Sequence, residues 1–273
     1  MLYDLSDKVV LITGAATGIG ARVVRLALDE GAKHVAVLDI ADEAGIALQD
    51  ELNSKHGNNK VSFIKCDVSN TEQLLSAFDK VKNEFGYIDV VVNNAGILND
   101  DLKIYAKQIQ INVTALVTSS LKALELMRKD QGGKGGTVIN VASVAAIITI
   151  PFHPIYSATK SAVIKFSTAM GSDVYYSRTG VRFISICFGP TDTPLMSTEK
   201  MGSFDTQVQN ELLALLAAPT SWQRPETAAI GVIEAFKKGT SGSMWIVNGG
   251  NPAADVTDLY NKSFEVYDPY LRN

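Results

Sequence analysis

The stretch TGAATGIG, Thr13 to Gly20, lies between a short apolar run, KVVLITG, and a helical pattern, RVVRLALDEG. Glycines at 14, 18 and 20 permit a tight turn and a close backbone approach to a diphosphate. The charge of that group would face the N-terminus of the following helix.

The same alternation continues down the chain. HVAVLDI, VSFIKCDV, IDVVVNNAG, GTVINVAS, VRFISICFG and SMWIVNGG are strand-like, each separated from the next by helical patterns. Strands alternating with helices predict βαβ units with right-handed crossovers. The expected fold is α/β, a single doubly wound Rossmann domain with a seven-stranded parallel sheet and helices on both faces, over residues 1–250. A long helix is expected from about Lys103 to Lys129, and QGGKGG, Gln131 to Gly136, reads as a pliable helix-to-strand turn. A substrate lid is expected at about 191–218, and a tail at 251–273, rich in Tyr260, Phe264, Tyr267 and Tyr270, should dock on its own or a partner subunit.

Asp39 ends the second strand, 19 residues after Gly20. Its carboxylate suits the ribose hydroxyls of a dinucleotide and would repel a 2′-phosphate. No Lys or Arg occurs in 15–17 or 40–44 to offset that repulsion, so NAD is expected rather than NADP. A carbonyl reductase using NADPH is the second enzymatic reading.

Charge and composition narrow the rest. A net charge of −4 gives no electrostatic footprint for nucleic acid, and no uncharged run is long enough for a membrane span. Asp4 and Asp7 with a single base before the first apolar run do not look like a targeting sequence, so a cytoplasmic protein is expected. Cys66 and Cys187 sit in apolar runs and read as reduced core residues; no metal is expected.

Several pieces in order, Thr13-Gly14-x-x-x-Gly18-Ile19-Gly20, Asp67-Val68, Asn93-Asn94-Ala95-Gly96, Asn112, Ser143 and Tyr156-x-x-x-Lys160, resemble the short-chain dehydrogenase/reductase family over all but about the last 20 residues. The resemblance implies a cofactor side made by Thr13, Gly14, Gly18, Ile19, Gly20, Asp39 and Ile40, with Asp67 and Val68 beside the adenine and Asn94, Ala95 and Gly96 beside the central sheet. It implies that Asn112 interrupts its helix and holds a water, and that Ser143 hydrogen-bonds the substrate oxygen. Gly189, Thr191 and Thr193 would face the nicotinamide, although Phe188 stands where relatives have proline and Thr191 where a branched apolar residue is usual.

The Tyr-Lys spacing has its own chemistry. A free phenol has a pKa of about 10 and is a weak base at neutral pH. Positions i and i+4 share a helix face, so Lys160 should lie near Tyr156, and its charge, together with that of oxidised nicotinamide, should lower the tyrosine pKa towards what proton abstraction from an alcohol needs. By resemblance, Lys160 also holds the nicotinamide ribose and relays the proton towards Asn112.

Softer cues, including AGILNDD, GGKGGTVINVASVAA and PTSWQRPETAAIGVIEAFKKGTSGSMWIV, are similar to the insect alcohol dehydrogenase branch and to NAD-dependent 15-hydroxyprostaglandin dehydrogenases. They imply oxidation of an alcohol and a homodimer, with a homotetramer as the alternative. The loop VAAIITIPFHPI and the lid residues are mostly apolar, which points to a small apolar alcohol beside Ala145, Leu195 and Met196. The resemblance to the prostaglandin dehydrogenases implies that His153, with Ser143 and Tyr156, would contact its oxygen. A terpenoid alcohol such as farnesol, or an aliphatic alcohol, is the leading expectation. A prostaglandin-like, steroid or retinoid alcohol is the alternative, and a non-catalytic nucleotide-binding carrier is the alternative of another class.

Overall fold

In the computed structural model, residues 3–217 and 222–271 are described. Seven parallel strands form the sheet as expected: β1 (Val9–Thr13), β2 (His34–Asp39), β3 (Val61–Lys65), β4 (Val90–Asn93), β5 (Gly136–Ser143), β6 (Val181–Phe188) and β7 (Met244–Val247). The sequence reading is one strand short. β8 (Ala254–Asp255), from the tail, adds antiparallel to the free edge of β7, giving eight strands in the order β3-β2-β1-β4-β5-β6-β7-β8. Two residues in a polar tail carry no strand periodicity of their own; the exposed backbone of β7 supplies the template.

Alternate residues of each strand serve opposite faces. Val10, Ile12, Val35, Val37, Val92, Ile139 and Ile184 pack under α1 (Gly18–Asp29) and α9 (Pro225–Lys238). Leu11, Leu38, Val91, Val138 and Phe183 pack under α3 (Thr71–Phe85), α5 (Leu116–Met127) and α6 (Pro154–Met170). Burial on both faces explains why the strands read as continuous apolar runs. α2 (Asp42–His56) covers β3, and α7 (Asp173–Thr179) leads into β6.

The helix expected over 103–129 is one rod with a defect. α4 (Tyr105–Ile109) widens into a π turn, Gln110–Ala115, and resumes as α5. The chain passes through Asn112 without breaking, and the wider turn disrupts the regular backbone pairing there. Gln131 to Gly136 forms a fastened turn: Tyr87 Oη donates to Gly135 O at 2.7 Å and accepts from Lys134 N at 2.8 Å.

The lid holds α8 (Thr206–Ala217); residue 218, its expected far limit, lies outside the described residues, as do the last two tail residues. The tail folds back on its own chain through β8, α10 (Thr257–Glu265) and α11 (Asp268–Leu271). Lys165 of α6 lies 3.5 Å from the Phe264 ring centroid and 5.5 Å from that of Tyr260. No described helix is long and apolar enough to cross a membrane. Cys66 and Cys187 are both free and buried, and burial pushes the Cys187 thiol up to about 12.

Candidate active site

The strand order reverses between β1 and β4, and a crevice opens at the carboxyl ends of strands where the order reverses. The sequence motifs meet there. The glycine turn follows β1, Asn93 to Gly96 follow β4, and Ser143 ends β5.

The glycine turn depends on missing side chains. Gly14 and Gly18 have φ of 63° and 56°, in the left-handed region that side chains disfavour. A Cβ on Gly20 would come within 2.5 Å of Gly14 O and 2.7 Å of Asn94 Nδ2. α1 begins with no side-chain cap and no acid in its first turn, so its leading N–H groups are open to an anionic ligand. Asn94 ties the turn to β4, donating to Gly14 O at 2.7 Å and Thr13 O at 3.0 Å, while Thr13 Oγ1 accepts from Ala95 N at 3.1 Å. This cradle fits a dinucleotide diphosphate.

Asp39 closes one end of it. Its two carboxylate oxygens accept from Ala16 N at 2.9 Å and Ala41 N at 3.0 Å, so it shapes the glycine turn from below. Ile40 is 67% exposed beside it, an apolar surface open to a flat ring. Asp67 accepts from Ser69 N and Oγ and from Lys107 Nζ; the Ser69 hydroxyl, then Lys107, hold its carboxyl below the usual range. Lys107 was not legible as a neighbour, being 40 residues away in sequence. Val68 is buried next to Asp67.

On the opposite side of the crevice, Asn112 is fully buried. Its side chain accepts from Ile97 N and donates to Ile97 O, both at 2.9 Å, and donates to Thr159 Oγ1 at 3.1 Å. Thr159 in turn donates to Tyr156 O at 2.7 Å, which links the π turn to α6. Gly96 is pressed between them: a Cβ there would sit 3.2 Å from Asn112 Oδ1 and 3.5 Å from Lys160 Nζ. Below, Asn93 and Asn140 hydrogen-bond at 2.8 Å and draw in Ser119, Ser120 and Ser167, a buried polar network between sheet and helices. The asparagine inside the apolar run GTVINVAS was its one sequence signal.

Ser143, Tyr156 and Lys160 come together on β5 and α6, and all three are buried. Ser143 Oγ donates to Phe188 O at 3.3 Å and accepts from Ala145 N at 3.2 Å. Lys160 Nζ donates to Val141 O at 3.0 Å and lies 5.7 Å from the Tyr156 ring centroid. Burial pushes Tyr156 up to about 12, with the Ser143 hydroxyl opposing, and burial pulls Lys160 down to about 8. Desolvation disfavours each charged form and outweighs the local partners.

Above Tyr156 the lid packs an apolar cluster. Leu98, Ala145, Met201 and Leu212 are buried with Tyr156, and Ile150, Phe152, Leu195, Met196 and Leu216 pack around them. His153 is buried, with Nδ1 unpartnered; burial lowers its pKa, against the field of Asp100. Thr193 reaches back over the glycine turn, where a Cβ on Gly18 would lie 3.4 Å from Thr193 Cγ2. Gly189 N donates to Val247 O at 2.9 Å, and Thr191 is buried beside Gln223, a partner the sequence did not reveal.

A model of the short chain dehydrogenase family matches residues 8–202. The 15-hydroxyprostaglandin dehydrogenase [NAD(+)] of Bos taurus is 37% identical, covering 73% of this chain and 76% of its own. Alcohol dehydrogenase 2 of Ceratitis cosyra is 31% identical over 94% of this chain and 97% of its own. Among solved structures, a short-chain type dehydrogenase/reductase from Mycobacterium marinum superposes with a TM-score of 0.76 at 29% identity, covering 91% of this chain and 97% of that one.

Proposed function

The chain belongs to the short-chain dehydrogenase family, and on that premise we propose that it oxidises a neutral, apolar alcohol with NAD, using Tyr156 as general base. The observation that carries this reading is the burial of Ser143, Tyr156 and Lys160 together, with an apolar cluster of lid and loop side chains packed on Tyr156. NAD, when bound, accepts the hydride from the carbinol carbon. Asp39 would hold its adenosine ribose, and the N-terminus of α1 its diphosphate. Ile40, Asp67 and Val68 would flank its adenine, and the turn from Gly189 to Thr193 its nicotinamide.

The protein's part is to handle the proton and fix the alcohol. Ser143 Oγ is placed to hydrogen-bond the alcohol oxygen while Tyr156 Oη takes the hydroxyl proton. Burial raises the pKa of the phenol, and positive charge beside it opposes that shift and favours the base form. Lys160, only 5.7 Å from the ring centroid, supplies part of that charge. Asn112 and Thr159 hold the helix turn carrying Tyr156 against the π turn.

The apolar lid cluster supports a terpenoid alcohol such as farnesol, or an aliphatic alcohol, as the substrate. Flexible Met196 and Met201 suit an aliphatic chain. His153 Nδ1, one of the buried polar atoms without a partner among the described residues, would be open to a substrate hydroxyl. A second copy of the chain would pack on α5 and α6, where Leu121 is exposed, to form a homodimer.

The test is NADH formation by purified protein with farnesol, aliphatic alcohols and chain-matched hydroxy acids, with NAD and NADP in parallel, and with Tyr156→Phe as control. Turnover of the neutral alcohols with NAD, abolished in Tyr156→Phe while NADH still binds, is expected. A preference for NADP would overturn the role of Asp39. Nucleotide binding without turnover of any alcohol would favour a carrier.

A further inference from the structure

Asp100 is fully buried in the turn between β4 and α4, and among the described residues no lysine or arginine pairs with it. Its carboxylate instead accepts from Ile155 N at 2.8 Å and Tyr156 N at 3.0 Å, in the first turn of α6. Leading N–H groups of a helix need acceptors, and a negative charge there is favoured by the helix dipole. The local cap position cannot serve: His153 makes no capping bond, and Pro154 has no N–H to offer. The cap of α6 therefore arrives from 55 residues upstream.

The same residue grips the lid. Asp100 N donates to Gly202 O at 2.8 Å, and the adjacent Asn99 Nδ2 donates to Lys200 O at 2.7 Å. Gln108, also fully buried, braces the turn: its amide nitrogen donates to Asp100 Oδ1 at 2.8 Å, and its oxygen accepts from Asn99 N at 2.6 Å. Met201, between the two lid contacts, is buried against Tyr156. One residue thus has its main chain on the lid and its carboxylate on the turn that carries the phenol.

We propose that Asp100 is a positioning residue that couples closure of the lid over the substrate to the placement of Tyr156. The proposal rests on Tyr156 being the base, as argued above. With the lid seated on Gly202 and Lys200, the turn is pinned and its carboxylate holds the start of α6 in register; with the lid lifted, the turn loses two tethers and the helix start loses its fixed cap. Alcohol binding and base placement then rise and fall together.

The experiment compares Asp100→Ala, Asp100→Asn, Asn99→Ala and the Asp100→Ala/Asn99→Ala double variant, by steady-state kinetics with saturating NAD, NADH titration and amide hydrogen exchange. Asp100→Ala should lower kcat at least about tenfold, the scale expected when a reacting group is displaced, with NADH affinity within about twofold of wild type. Asp100→Asn keeps one acceptor and should fall between the two, and remains informative if the alanine variant does not fold. Asn99→Ala leaves the carboxylate in place but should raise the alcohol KM, speed exchange at Ile155 and Tyr156, and add little to Asp100→Ala. A kcat within about twofold of wild type in Asp100→Ala, or additive effects in the double variant, would overturn the coupling. Should wild type turn over no alcohol, the catalytic reading fails on its own. Exchange then decides the latch: faster exchange at Ile155 and Tyr156 in Asn99→Ala sustains it, and unchanged exchange ends it.

Discussion

Gln223 Nε2 donates to Thr191 Oγ1 at 2.8 Å, and Thr191 Oγ1 in turn donates to Gly189 O, also at 2.8 Å. The same amide nitrogen lies 3.1 Å from Val247 O and 3.3 Å from Gly189 O, and Gln223 N and O pair with Pro190 O and Asp192 N. The threonine that departs from the family pattern is therefore one half of a buried polar clamp. Its other half, between α8 and α9, holds the loop after β6 that Phe188 enters without the usual proline.

Gln223→Leu should loosen that loop. It leaves the Thr191 hydroxyl and two carbonyls short of a donor, each unmade buried bond costing about 1–3 kcal/mol. The KM for NAD should rise about tenfold while Tyr156 chemistry at saturation changes less, a split readable by initial-rate kinetics and NADH titration.

Lys160 and Tyr156 predict opposite pH dependences of stability in the free protein. The Lys160 pKa is lowered to about 8, so below that value the folded chain buries a charged ammonium, and this penalty disappears as pH rises from about 8 to the unfolded value near 10.5. Lys160→Met should therefore melt higher than wild type at pH about 7, with the gap closing by about pH 10. Tyr156 is raised to about 12, so its neutral form stabilises the fold up to about pH 10 and that contribution is lost as pH climbs to about 12; Tyr156→Phe should lack this loss. Thermal melts across pH check both.

Gly202 is where the lid meets its latch, and a Cβ there would overlap the Asn99 side-chain oxygen and approach Asp101 Cβ at 3.1 Å. Gly202→Ala should hold the lid off its seat, raising the alcohol KM about tenfold and leaving NADH affinity within about twofold. Equal losses for alcohol and NADH in the same kinetic and titration series would show a wider collapse.

The tail covers the β7 edge and packs Val256 and Tyr260 on the cluster that holds Val163 and Ile164 of α6, Cys187 of β6 and Met244 of β7. Ending the chain after Asn251 should cost about 3 kcal/mol, from the two partly buried apolar groups and from Met244 N, which loses its 3.0 Å bond to Thr257 Oγ1. It also bares a strand edge, so a lower Tm should be accompanied by association visible in light scattering.

Much of this protein is local in origin and was readable along the chain. Apolar runs of β-branched residues, a glycine turn and the periodicity of the helices specify a parallel sheet, because burial on both faces and positive φ are demands each segment meets by itself. The glycine turn, Asp39 and the Tyr156–Lys160 pair were legible as candidate site residues from their spacing within or beside single elements, and Ser143 from the family resemblance.

What the sequence could not decide is everything that depends on two distant segments touching. Asp100 caps a helix 55 residues away, Gln223 holds a loop 32 residues before it, and β8 exists only because β7 has an open edge. The i to i+4 spacing likewise reveals a neighbouring ammonium but not the removal of water from both groups, which raises Tyr156 and lowers Lys160. Hydrogen-bond partners and solvent exclusion are set by packing across the chain, and packing has no signature in local spacing.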